Sequence, residues 1–200
     1  MQEIKSRLRG VKVGVVLTGS HCTVDAVIPQ IRGLKSEGAE ILPVLSFTVN
    51  ETDNRFYQVS DLKDEISAIC DKPIINTIVG AEPIGPQKLL DVVVVAPATG
   101  NTIAKLATGI VDTPALMAVK AHLRNQRPVV IAISTNDALG INARNIGLLI
   151  NMKHIFFVPF RQDDPVNKGN SLVACMDKLL DTVVCALQGK QLQPVLLGPA

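Results

Sequence analysis

Residues 90–97 read Leu-Asp-Val-Val-Val-Val-Ala-Pro, and the four consecutive valines limit what this chain can become. The run is too short to cross a bilayer. It also lacks the alternation of a strand with one wet face. It is therefore read as a central strand of a parallel sheet, covered on both sides. Proline offers no N–H to a ladder and disfavours helix at the residue before it, so the strand is expected to end at Pro97. The turn Ala98-Thr99-Gly100-Asn101-Thr102 follows, and then Ile103, Leu106, Ala107 and Ile110 recur at helical spacing. A strand, a polar turn and a helix start in that order aim free N–H groups at whatever lies beyond the strand, which suits an anion. Plain helix capping by Thr99 or Asn101 explains the turn equally well.

The same alternation recurs along the chain. Residues 11–17 form a first buried strand, followed by the loop Thr18-Gly19-Ser20-His21-Cys22-Thr23. A helix then places Val24, Val27, Ile28, Ile31 and Leu34 on one face, with Pro29 expected to kink or stiffen it. Residues 39–47 read as a second strand with Ser46 and Thr48 at its carboxyl end, and a helix is expected from Ser60 to Asp71. Residues 74–79 are a short apolar segment, and the helix after the central strand is expected to continue through 116–123. Residues 129–133 and 155–158 are further core strands. A polar loop covers 161–170, a last helix is expected from Ser171, and the apolar tail 190–200 is expected to fray or to dock on a neighbour.

This pattern specifies an α/β fold: one doubly wound, Rossmann-like (flavodoxin-like) domain with a parallel sheet over residues 1–200. Its core spans about residues 10–190. The polar turns after the strands should gather along one sheet edge, the usual ligand crevice of such folds. The first loop lacks a full Gly-x-Gly-x-x-Gly, so it suits a mononucleotide phosphate better than a dinucleotide.

Composition narrows the function. A formal net charge of +2 without charge runs gives no nucleic-acid stripe and no membrane-surface helix. Cys22, Cys70, Cys175 and Cys185 show no metal-ligand spacing, so free thiols in a reducing, cytoplasmic setting and no metal are expected. Cys175 and Cys185 are expected on one helix. The charged start MQEIKSRLRG does not read as a signal peptide.

Residues 96–113, APATGNTIAKLATGIVDT, resemble the FMN-binding segment of the flavin-dependent cysteine decarboxylases. That family includes phosphopantothenoylcysteine decarboxylase and the lantibiotic peptidyl-cysteine decarboxylases, and the resemblance covers roughly residues 10–160. It implies an FMN site formed by Thr18, Gly19, Ser20 and Cys22, by Ser46 and Thr48, and by Ala98, Thr99, Asn101 and Thr102. Bound phosphate or a vestigial pocket are the alternatives, and an ordinary loop hydroxyl explains Ser46 or Thr48 as well. Asn136 matches the asparagine of the family's Pro-x-Met-Asn motif, with Ile133 and Thr135 in place of the proline and methionine. Together with Asn142, Arg144 and Asn145 it forms a donor set suited to carboxylates, the rival role of Arg144 being a subunit contact. The loop around Glu82 has no histidine where the decarboxylases carry one, so decarboxylation by this chain alone is not expected. Within the family the chain most resembles a subunit of an NADP-linked oxidoreductase whose nicotinamide site lies on a partner subunit. Trimers or dodecamers are the assemblies that the resemblance implies.

Overall fold

The structure is a computed structural model that describes residues 6–198. The chain opens with β1 (Lys12–Leu17), α1 (Val24–Ser36) and β2 (Glu40–Leu45). Three short-to-medium helices follow: α2 (Phe47–Glu51), α3 (Val59–Cys70) and α4 (Ile78–Ala81). Next come β3 (Val92–Ala98), α5 (Gly100–Ala107), α6 (Pro114–Leu123) and β4 (Val129–Thr135). The chain finishes with α7 (Ala143–Ile150), β5 (Ile155–Phe157), β6 (Phe160–Arg161), β7 (Leu172–Ala174) and α8 (Leu179–Leu187). Strands β2, β1, β3, β4 and β5 lie side by side in that order and all parallel, the flavodoxin-like winding. Among the described residues, no helix is long and apolar enough to cross a membrane.

The four valines explain why this winding is stable. Val92 and Val94 face one core beside Val27, Ile31, Ile66 and Val183, while Val93 and Val95 face the other beside Ile84, Ile103, Val119 and Leu149. Period-two geometry sends alternate side chains to opposite faces, so a strand with helices on both sides needs apolar residues at every position. All seven residues of β3 are buried. Burying one valine contributes about 1.5–3 kcal/mol, so this short strand anchors both layers.

Several boundaries differ from the sequence expectation. β3 runs one residue past Pro97; the register against β4 shifts between Val95 and Ala98, so Pro97 sits where no ladder N–H is required. β2 stops at Leu45, and Ser46 turns the chain into α2. Residues 74–79 supply one parallel bridge, Ile75 to Val44, and then enter α4. α5 and α6 are separate helices, because the Thr113 hydroxyl accepts the Leu116 N–H and Pro114 follows it as a fresh helix start.

The largest correction concerns the C-terminal third. No helix begins at Ser171: residues 172–174 form β7, antiparallel to β4 on one side and to β6 on the other. Cys175 therefore lies outside α8, which carries Cys185. β4 is longer than β5, so Val129–Ile131 pair with β5 while Ser134 and Thr135 pair with β7. The tail packs on its own chain: the Phe160 N–H donates to the Val195 carbonyl (3.0 Å), and the Leu197 N–H donates to the Phe160 carbonyl (2.9 Å). Beside it, the Gln191 amide pairs with both backbone groups of Phe157, accepting its N–H (2.8 Å) and donating to its carbonyl (2.7 Å).

Candidate functional site

Winding reverses between β1 and β3, so the loops after these strands diverge and leave a crevice at their carboxyl ends. Thr18 joins the two loops. Its buried hydroxyl donates to the Pro97 carbonyl (2.7 Å) and accepts the Thr99 N–H (3.1 Å). Thr99 caps α5 through the Thr102 N–H (3.2 Å) and lies 2.9 Å from the Thr102 hydroxyl. Thr18 and Thr102 thus face structural partners, and Thr99 remains at the crevice wall.

A cavity of about 660 Å³ opens there, within the range of cofactor sites. Its floor includes Gly19, Ser20, Cys22 and Thr99, with Ser134 and Asn136 from the end of β4. Ser20, Thr23 and Ser134 form a triangle of hydroxyls, with Ser134 Oγ 2.7 Å from Ser20 and 2.6 Å from Thr23. This triangle ties the first loop to β4. Thr48 lies against the first loop, where a Cβ on Gly19 would stand 3.1 Å from its Cγ2, and the Ser46 N–H donates to the Leu17 carbonyl (3.0 Å); neither residue lines the cavity. The Ser46 hydroxyl is buried and has no hydrogen-bond partner among the described residues. A buried hydroxyl left unpaired costs about 1–3 kcal/mol.

The remaining candidates divide. Ala98 is buried in β3, and Asn101 is exposed on α5. Asn142 and Asn145 are buried and satisfied inside the protein: Asn142 Nδ2 donates to Asp137 (2.8 Å), and Asn145 Nδ2 donates to Asn142 (2.8 Å). Thr135 donates to the other oxygen of Asp137. Gly100 packs into this cluster, where a Cβ would come within 2.5 Å of Asp137 and 2.6 Å of Thr135. Arg144 is exposed at the start of α7, while Asn136 reaches the cavity.

The rim is built from residues that no motif announced. The segment before α3 brings Arg55 and Phe56, and the loop between β6 and β7 brings Asp163 and Lys168. The Arg55 guanidinium carbon stands 4.8 Å from the Phe56 ring centre, a cation–π contact. The segment is held by His21. Its Nδ1 lies 2.5 Å from the Tyr57 hydroxyl and 3.2 Å from Asn54 Nδ2, whose amide orientation is fixed because Asn54 Oδ1 accepts the Phe56 and Tyr57 N–H groups. With an amide donor beside it, Nδ1 is the acceptor and the proton sits on Nε2. Burial pushes the His21 pKa below its ordinary value, favouring that neutral form. Burial likewise pushes the Tyr57 phenol up. Only the length of the loop after Arg161 hinted that this side of the crevice matters.

Residues 1–188 match the Flavoprotein family. The chain belongs to that family. Among flavoprotein-family relatives it is similar to the B subunit of dipicolinate synthase from Bacillus subtilis, with 51% identity over 192 residues covering 96% of each chain. The crystal structure of the dipicolinate synthase B subunit from Bacillus halodurans superposes with a TM-score of 0.89 at 48% identity, over 96% of this chain and 99% of that one. The FMN-dependent cysteine decarboxylase SpaF shares the fold, with a TM-score of 0.62 at 22% identity over 92% of this chain and 98% of that one.

Proposed function

We propose that this chain works as the B subunit of a dipicolinate synthase, supporting NADP-linked oxidation of dihydrodipicolinate to dipicolinate in spore formation. The observation that carries this reading is the half-identity to a subunit of that name along 96% of both chains. The nicotinamide site belongs on the partner A subunit, since this chain has no dinucleotide fingerprint. The crevice is an FMN site in this reading. The unpartnered Ser46 hydroxyl and the close approach that Gly19 permits beside Thr48 fit a phosphate against the first loop. Gly19, Ser20 and Cys22 would hold that phosphate with Ser46, and Thr99 and Asn136 would line the rest. Bound flavin would supply a planar two-electron carrier beside the substrate. The chain's own part is to fix the two loops through Thr18 and to restrict water at the crevice floor.

Visible absorbance of the purified chain tests the cofactor: flavin bands are expected, and a colourless chain that takes up no added FMN would leave only a scaffold role. Synthase activity with and without the A subunit tests the rest. Activity is expected only in the mixture, and turnover of a cysteine-containing substrate by the chain alone would favour a decarboxylase. Self-association is part of the same reading, with Ile141 and Leu148 exposed around α7 beside Arg144. Light scattering at micromolar concentration should report an oligomer such as a trimer or dodecamer, and a monomer would count against it.

A further inference from the structure

The rim of the cavity has a chemistry that a flavin phosphate on its floor leaves unused. Arg55 makes no ion pair among the described residues. Among the described residues Lys168 has one partner, Asp163 at 3.3 Å, and its side chain is 57% exposed, so that pair is weak and Lys168 can turn to a ligand. The two cations come from opposite elements, one before α3 and one between β6 and β7, and both line the same opening. Phe56 lies between solvent and cavity with Arg55 stacked on it. Asp163 lines the same opening beside Lys168, so the two cations still leave the rim net positive, and a flat face within it suits a small planar ring bearing more than one carboxylate.

We propose that Arg55 and Lys168 seat a planar aromatic dicarboxylate over Phe56, with His21 as the positioning residue that holds the Arg55–Phe56 segment in place. This rests on the proposed function, which supplies a ring dicarboxylate as product. It assigns carboxylate binding to residues outside the cluster of Asn142, Arg144 and Asn145. Two of those three side chains commit their donors to each other and to Asp137. The His21–Tyr57 contact explains why an exposed loop can serve as a binding wall. Asn54 folds the loop on itself through two backbone N–H groups, and the histidine ties that fold to the crevice floor.

The test is calorimetric titration of pyridine-2,6-dicarboxylate into the full chain in metal-free buffer, with pyridine-2-carboxylate as the comparison. The wild-type chain should prefer the dicarboxylate. Arg55→Ala should weaken its binding by about tenfold or more and erase most of that preference, since one carboxylate has lost its partner. Lys168→Ala should act in the same direction, while Arg144→Ala should bind as the wild type does. Wild-type affinity in both Arg55→Ala and Lys168→Ala would overturn the proposal, as would a loss confined to Arg144→Ala. Synthase activity of the reconstituted two-subunit complex is read in parallel. An active complex in which this chain does not bind the dicarboxylate overturns this site and leaves the proposed function standing. A chain that binds through Arg55 but supports no synthase activity upholds the site and removes the proposed function.

Discussion

At the scale of single residues, two buried polar atoms carry the sharpest expectations. Ser46 Oγ has no hydrogen-bond partner among the described residues. Ser46→Ala should therefore leave thermal stability unchanged or slightly raised without ligand, yet weaken FMN binding by about 1.5–3 kcal/mol, the scale of a hydrogen bond to a charged group. Equal flavin affinity in the two proteins would remove Ser46 from the site. His122 is a different case. It is fully buried, its Nε2 lies 3.1 Å from the Pro128 carbonyl, and Nδ1 has no partner among the described residues. Burial pushes its pKa from 6.5 down to about 4. Between those values the unfolded chain binds the proton and the folded chain does not, so stability falls as pH drops through that window. The slope reaches about 1.4 kcal/mol per pH unit. Urea midpoints measured across the window should fall less steeply for His122→Gln than for the wild type; parallel lines would show that His122 does not set the acid limb. Ser46 stood out in the sequence as a candidate because it follows a strand in a recognisable pattern. His122 was not, since nothing local tells a buried imidazole from an exposed one on an apolar helix.

Among the elements, the junction of α5 with the end of β4 depends on one absent side chain. Gly100 is the first residue of α5 and faces Asp137, Thr135 and Asn142 at distances no Cβ tolerates. Those neighbours are tied to one another, so they cannot move apart cheaply. Gly100→Ala should cost about 1–3 kcal/mol, seen as a lower denaturant midpoint at constant slope, despite alanine's better helix propensity. An unchanged midpoint would mean that the cluster yields. The strand–turn–helix order around Val92–Thr102 was readable because period and turn chemistry agreed there. The last third departs from its sequence pattern for a physical reason: Leu172, Met176, Leu179 and Leu180 continue one helical stripe on paper. The open edge at the end of β4 instead claims residues 172–174 as a strand. That choice is tertiary, and it brings the Lys168 loop to the cavity.

Over the whole molecule, a doubly wound parallel sheet followed from buried strands alternating with helices, whereas the strand order β2-β1-β3-β4-β5 and the rim of the crevice did not. Arg55 and Lys168 lie more than a hundred positions apart, in segments without periodicity, and only the winding brings them to one opening. The same winding leaves β5 at the margin of the sheet, where Gln191 occupies both outward groups of Phe157. Unpaired strand margins invite pairing with another chain. Gln191→Ala should therefore raise concentration-dependent light scattering on mild heating, beyond what its small loss of stability explains; scattering that tracks stability alone would deny the residue this role. A side-chain amide has the donor and acceptor of a peptide group but no next residue to pass them on. Gln191 is in effect a chain terminator for the hydrogen-bond ladder, a neighbour that accepts the sheet's growth and cannot propagate it.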